Sequence, residues 1–168
     1  AVRIFSADDG EFHPASYSLP KTDLYFKNHI EESADAIIKL YNGLNDAGID
    51  VSVVVPPRTV DVASSAFNYP DIYSKMLTSH LSGLLKDIGY VDVLPILKEK
   101  YDSGEYVYYK ADHHWTSLGA YYAYAEVMKS FGEEYYGINE FESVTVSKSF
   151  LGTTYSKSGY KNIDPDTV

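Results

Sequence analysis

Between Leu24 and Ala47 the apolar residues Ile30, Ala34, Ile37, Ile38, Tyr41 and Leu44 recur three and four positions apart, and Gly48 follows them. That spacing is one stripe of an amphipathic helix with a glycine as its stop. Just beyond, Val51 to Val55 is a β-branched run closed by Pro56-Pro57, the pattern of a short buried strand. This switch from helical to strand period limits the choice of fold more than any other feature, and it recurs. Pro70 opens a second helical stripe through Ile72, Met76, Leu77, Leu81, Leu84, Leu85 and Ile88, which Gly89 ends. Tyr90 to Leu94 is a second strand candidate, and a short helix from Pro95 runs out at Asp102-Ser103-Gly104. Tyr106 to Tyr109 is a third strand candidate. Thr116 or Ser117 then caps a helix carrying Leu118, Tyr121, Tyr122, Ala125 and Met128 that ends near Gly132. Glu142 to Phe150 alternates, with Val144 and Val146 facing one way, as an edge strand does. Helices alternating with short apolar strands predict an α/β domain with a parallel sheet flanked by helices.

A length of 168 residues fits one domain over 1–168, with an irregular segment at 1–23 where Gly10, Pro14, Pro20 and scattered Asp interrupt any period. Three inner strands are few for a sheet covered on both faces, and Asn162 to Val168 resembles a loop entering a strand, so the domain is expected to be incomplete. Ala1 begins the chain with no charged segment and apolar run behind it, as expected after removal of a leader or excision from a longer protein. With 24 Asp and Glu against 14 Lys and Arg, the net charge of -10 argues against nucleic acid and anionic lipid as partners. No apolar run reaches the roughly 18 residues of a spanning helix. The absence of cysteine excludes disulfides, thiol catalysis and thiolate metal sites.

Chemistry concentrates in Asp112-His113-His114-Trp115, where the third strand candidate hands over to a helix. In open α/β sheets that edge is where ligands bind. A carboxylate two residues from an imidazole can take its Nδ1 proton, fix the tautomer and leave Nε2 as a base for a serine or water. A purely structural alternative has Asp112 capping the helix, His113 solvated and His114 packed beneath Trp115. A metal is not expected, because adjacent histidines tend to diverge and nothing brings Asp8, Asp9 or His13 close to complete a shell. His29 and His80 fall at the polar margins of predicted helices, as surface residues do. The tyrosines of Ala120 to Glu126 suit packing, although 17 tyrosines in one chain would also suit a carbohydrate cleft.

The segment Tyr108-Tyr109-Lys110-Ala111-Asp112-His113-His114-Trp115-Thr116-Ser117-Leu118-Gly119-Ala120 resembles the signature of the bacterial "DHHW" proteins. These are similar to the alginate O-acetyltransferase-like branch of the SGNH hydrolases, whose pattern is Tyr-Tyr-Lys-Thr-Asp-x-His-Trp-x-x-x-Gly-Ala. Val53-Val54-Val55-Pro56-Pro57-Arg58 is similar to that branch's strand ending in a Val-Pro-x-Lys turn, so that Val51 to Gly132 is matched. Phe150 to Ser158 resembles the loop that follows. The resemblance implies a three-layer, SGNH-hydrolase-like (flavodoxin-like) parallel sheet flanked by helices. It also implies a Ser-His-Asp triad with Asp112 and His114 as its acid and base pair, and Trp115 packed behind the histidine. His113, Trp115, Arg58 (where the branch has lysine), Tyr155 and Ser156 are the residues expected to line the site.

In that branch the nucleophile lies downstream in a Gly-Asp-Ser block, which this chain lacks; Ser156 and Ser158 come too early to replace it. The implied function is acyl transfer of the polysaccharide O-acetyltransferase or acetylesterase kind, with a polysaccharide and an acyl donor as partners and no cofactor. Its setting is extracellular or at a bacterial cell surface, and this chain alone is expected to be inactive. The alternative is a non-catalytic cell-surface module that binds glycan or protein.

Overall fold

Helix, rather than sheet, is what the apolar periodicity of this chain produces. The computed structural model describes residues 20–66, 72–160 and 162–168, with the backbone alone for 20–28 and 72–78. Its helices are α1 (Pro20–Asp46), α2 (Thr59–Val62), α3 (Ile72–Leu85), α4 (Leu94–Asp102), α5 (Ser117–Ser130) and α6 (Thr153–Ser158), with single 3₁₀ turns at Ser64–Ala66 and Ile138–Glu140. The first helix begins at Pro20, inside the segment expected to be irregular; the rest of that expectation falls on 1–19, outside the described residues. The opening of the second long helix at Pro70 also lies outside them. Two short helices, α2 and α6, have no counterpart in the sequence reading.

The described residues form two compact units. One comprises 20–55 and 72–92. Here Ala34 from the stripe of α1 is fully buried with Leu85 and Ile88, and Ile37, Ile38, Tyr41, Val53, Val55, Leu81, Leu84 and Tyr90 pack around them. The other comprises 56–66, 93–160 and 162–168. In it α4 packs against both α2 and α5. Its buried side chains include Val62, Val93, Leu97, Val107, Tyr108, Ala111 and Ala123.

The expected parallel sheet is overturned: among the described residues there is no strand ladder, only three isolated bridges. Extended backbone must pair its N–H and C=O groups along its length to make a sheet, and each candidate run is cut short. Val51 to Val55 meets Tyr90 to Leu94 at the single parallel bridge Val53–Tyr90, through Val53 N–H to Gly89 O (3.1 Å) and Val91 N–H to Val53 O (2.9 Å). Pro56-Pro57 offers no N–H to continue it, and α4 starts on the other side at Leu94 with Pro95 in its first turn. Tyr106 to Tyr109 folds back on itself instead of joining a neighbour. Tyr109 N–H reaches His114 O (3.2 Å) and Thr116 N–H reaches Val107 O (2.9 Å), which makes an antiparallel bridge between Tyr108 and Trp115. Along Glu142 to Phe150, Val144 and Val146 share a face as expected, but that face is exposed at 67% and 76%. This stretch meets the last residues at one antiparallel bridge, Phe150–Asp166. β-branched alternation marks extended backbone; it does not supply partners.

Leu97 is fully buried on α4, which sits between α2 and α5. Leu97→Ala should therefore lower stability by about 2–5 kcal/mol. Val144→Ala, at an exposed position of the same unit, should change it by less than ~0.5 kcal/mol. Urea titration monitored by tyrosine and tryptophan fluorescence checks both.

Candidate active site

The turn that ends in the Tyr108–Trp115 bridge carries Asp112, His113 and His114 on its outer arc. Its base is fixed by backbone and hydroxyl bonds. Thr116, the N-cap of α5, accepts from Gly119 N–H at 3.2 Å and donates its hydroxyl to Tyr106 O at 2.6 Å. The Tyr108 hydroxyl donates to Pro57 O, and the Thr59 hydroxyl reaches His113 O at 3.5 Å. From the far side, Tyr155 N–H at the start of α6 donates to Ala111 O at 3.1 Å.

Asp112 is 4% exposed. A buried carboxylate needs its lone pairs filled, and four donors converge on it. Oδ1 accepts from the His114 backbone N–H (2.9 Å) and from the His114 ring through Nδ1. Oδ2 accepts from the Thr153 backbone N–H (2.7 Å) and the Thr153 hydroxyl (3.1 Å). Burial pushes the Asp112 carboxyl up, but the Thr153 and His114 backbone N–H groups, the His114 ring and the Thr153 hydroxyl together pull it down to about 2. Asp112 is thus an ionised acceptor at neutral pH, and His114 Nδ1 must be the proton-bearing nitrogen of their bond. His114 Nε2 is left free of that proton, on a side chain that is 65% exposed.

The same argument orders His113. The Thr153 hydroxyl gives its single proton to Asp112, so toward His113 Nδ1 it can only accept. Both imidazoles therefore hold a proton on Nδ1, with ring centroids 3.8 Å apart and planes tilted by 38°. The expectation that adjacent histidines diverge does not hold: each is drawn to the same Asp112–Thr153 pair. Asp112, His113 and His114 can offer one metal-ligating atom apiece within 4.8 Å of one another. Both Nδ1 atoms and both carboxylate oxygens are already committed to hydrogen bonds, so an ion would have to displace that network. Asp8, Asp9 and His13 lie outside the described residues.

The remaining candidates occupy supporting positions. Arg58 turns its guanidinium onto Asp61 (Nε to Oδ2, 3.2 Å) and, with its backbone N–H on the same oxygen, caps α2. Trp115 acts through its backbone in the bridge to Tyr108 and is half-buried. The Ser156 hydroxyl donates to Thr153 O at 3.0 Å, within its own helix. His29 lies against Glu32 (3.5 Å) and His80 against Glu31 (3.3 Å), all in the other unit.

Sequence reading missed Thr153 and Gly152, the residues that complete the carboxylate cradle. A Cβ on Gly152 would overlap the Asp112 side chain, coming within 2.6 Å of its Cγ, so only glycine lets the N-terminus of α6 approach the carboxylate. The Gly152-Thr153 step before a helical turn was the available signal.

The sign of the acid dependence follows from these bonds. The folded carboxyl lies below its unfolded value of roughly 3.9, so its contribution is complete above about pH 4 and is lost as pH falls toward 2. The contribution amounts to about 2 kcal/mol. Asp112→Asn should flatten the stability profile across that window, and Gly152→Ala should do so in part by pushing Thr153 away; denaturant midpoints at stepped pH are the measurement.

Among the described residues no helix is long and apolar enough to cross a membrane. No curated protein and no solved structure matches the chain. A family model, described as the SGNH hydrolase-like domain of the acetyltransferase AlgX, matches residues 8–157 and so takes in the Asp112–His114 turn and the Gly152-Thr153 step that closes over it. On that match over most of its length, the chain belongs to the AlgX-type family of SGNH hydrolase-like domains.

Proposed function

We propose that Asp112 and His114 are the acid and base pair of an acyl-transfer site, and that the nucleophilic serine of the triad is not one of these 168 residues. The observation that carries this reading is the bond from His114 Nδ1–H to the ionised Asp112, which leaves Nε2 of an exposed side chain as the base. In the reaction, Nε2 removes the proton from a serine hydroxyl as its oxygen attacks the acyl carbonyl. The same nitrogen then returns a proton to the departing alkoxide, leaving an acyl-serine. A carbohydrate hydroxyl, deprotonated in its turn by Nε2, attacks that ester; the serine oxygen departs, takes the proton back from Nε2, and the O-acyl sugar is released. Asp112 stabilises the imidazolium formed in each step without taking its proton.

The family supports acyl transfer as the reaction class, since the matching model is described as the SGNH hydrolase-like domain of an acetyltransferase. The further points belong to the same proposal: membership of the DHHW group, a polysaccharide acceptor, and a place outside the cell or at a bacterial cell surface. His113, Trp115, Arg58, Tyr155 and Ser156 would line or brace the site. A second reading, a glycan-binding module, has one observation in its favour. Tyr136 and Phe141 are 65% and 51% exposed, and Phe141 stands edge-on to both Tyr136 and Tyr121 with centroids 6.2 and 5.9 Å apart. Such rings can stack on sugar faces.

A chromogenic acetyl ester separates the two readings. The 168-residue chain should show at most general-base assistance of about 10²–10⁴-fold, lost in His114→Ala, with no acyl adduct by mass spectrometry. A chain extended to include a downstream Gly-Asp-Ser block should turn over and form a seryl adduct. An acyl adduct on Ser156 or Ser158 of the short chain would place the nucleophile within it, and an inactive extended chain would favour the binding module.

A further inference from the structure

Three donors, the Lys110 and Ala111 backbone N–H groups and the Tyr106 hydroxyl, meet a second buried carboxylate. Asp166 is 2% exposed and lies two residues before the last. Its Oδ2 accepts from the Ala111 backbone N–H at 2.8 Å. Its Oδ1 accepts from the Lys110 backbone N–H at 3.2 Å and from the Tyr106 hydroxyl. The Tyr106 oxygen in turn accepts from the same Lys110 N–H at 3.2 Å. Burial, followed by the hydrogen bond to Asp166, raises the Tyr106 hydroxyl well above its ordinary range, so it remains a donor. Asp166 is itself fastened by the paired backbone bonds with Phe150, Phe150 N–H to Asp166 O at 3.1 Å and Asp166 N–H to Phe150 O at 2.9 Å.

Phe150 stands two residues before Gly152, and Ala111 one residue before Asp112. One side chain therefore ties the segment that delivers Thr153 to the segment that delivers Asp112. We propose that Asp166 is a positioning residue of the site: its carboxylate holds the Lys110-Ala111 backbone and the Phe150 segment in register, so that Asp112 and Thr153 meet and His114 keeps its Nδ1–H on the carboxylate. Asp166 lies beyond the residues matched by the family model. The proposal rests on the Asp112–His114 reading for its catalytic meaning, but its geometry stands without it.

Both oxygens of this side chain have to accept. All three neighbours donate, and an asparagine keeps a single acceptor oxygen while turning an NH₂ toward N–H groups. Asp166→Asn should retain the shape and lose the function.

The test uses the 168-residue chain and NMR, so that it does not depend on any acyl transfer. In Asp166→Asn, amide hydrogen exchange at Lys110 and Ala111 should rise at least tenfold while the Leu97 amide of α4 stays protected. The downfield proton resonance of His114 Nδ1–H should broaden or vanish. Tyr106→Phe, which leaves the carboxylate in place, should speed exchange at Lys110 and spare Ala111; it also serves if the asparagine variant fails to fold. The proposal is overturned if the His114 resonance and both amides are unchanged, or if exchange rises uniformly at Leu97 as well, the sign of a general loss of stability. Retention of the effect beside an extended chain that carries a downstream Gly-Asp-Ser block and still transfers no acyl group would count against the enzymatic reading and leave the positioning role intact.

Discussion

A buried negative charge at Asp112 is the constraint that organises this site. Taken out of water without partners, a carboxylate would be too costly to keep ionised. Here each oxygen receives two donors, and the donors come from places far apart in the chain: His114 from the same turn and Thr153 from the first turn of α6. Satisfying the charge therefore requires the turn after Tyr109 and the end of the chain to fold against each other. Gly152 makes room for that approach, and the bond from Tyr155 N–H to Ala111 O secures it. The imidazole orientation is a consequence. An acceptor-only carboxylate selects the Nδ1–H tautomer of His114, and through the Thr153 hydroxyl it imposes the same choice on His113.

The parts of this arrangement that were legible in the sequence are those set by neighbours along the chain. The stripe of Ala34, Ile37, Ile38 and Tyr41 appears as the buried face of α1, and Thr116 caps α5 because a threonine hydroxyl can reach the N–H three residues on. The approach of Asp112 to His114 could be anticipated because two residues in a turning backbone bring the side chains together. Pairing across long distances was not legible. Val51 to Val55 has the composition of a central strand, but nothing in it encodes whether a partner lies alongside for one residue or five. Asp166 was invisible for the same reason: a carboxylate 55 residues from the backbone N–H it holds carries no local mark of that bond. The divergence expected of His113 and His114 failed because two adjoining acceptors, the Thr153 hydroxyl and the Asp112 carboxylate, outweighed the backbone tendency.

Family membership and geometry contribute different things. The match to the AlgX-type SGNH hydrolase-like domain shows the family, and the bonding around Asp112 gives a physical reason to propose His114 as a base. Fold class alone would not have led there, since the described residues contain helices and isolated bridges rather than the sheet the sequence suggested.

The candidate site requires Asp112 to remain a carboxylate held by four donors. The most direct test is the ¹³C chemical shift of its side-chain carboxyl followed against pH in selectively labelled protein. The account predicts a midpoint at about 2, with the carboxyl fully ionised at pH 4. A midpoint at the ordinary aspartate value of roughly 3.9 or above would mean that the donors do not hold the charge, and the assignment of His114 as an oriented base would fall with it.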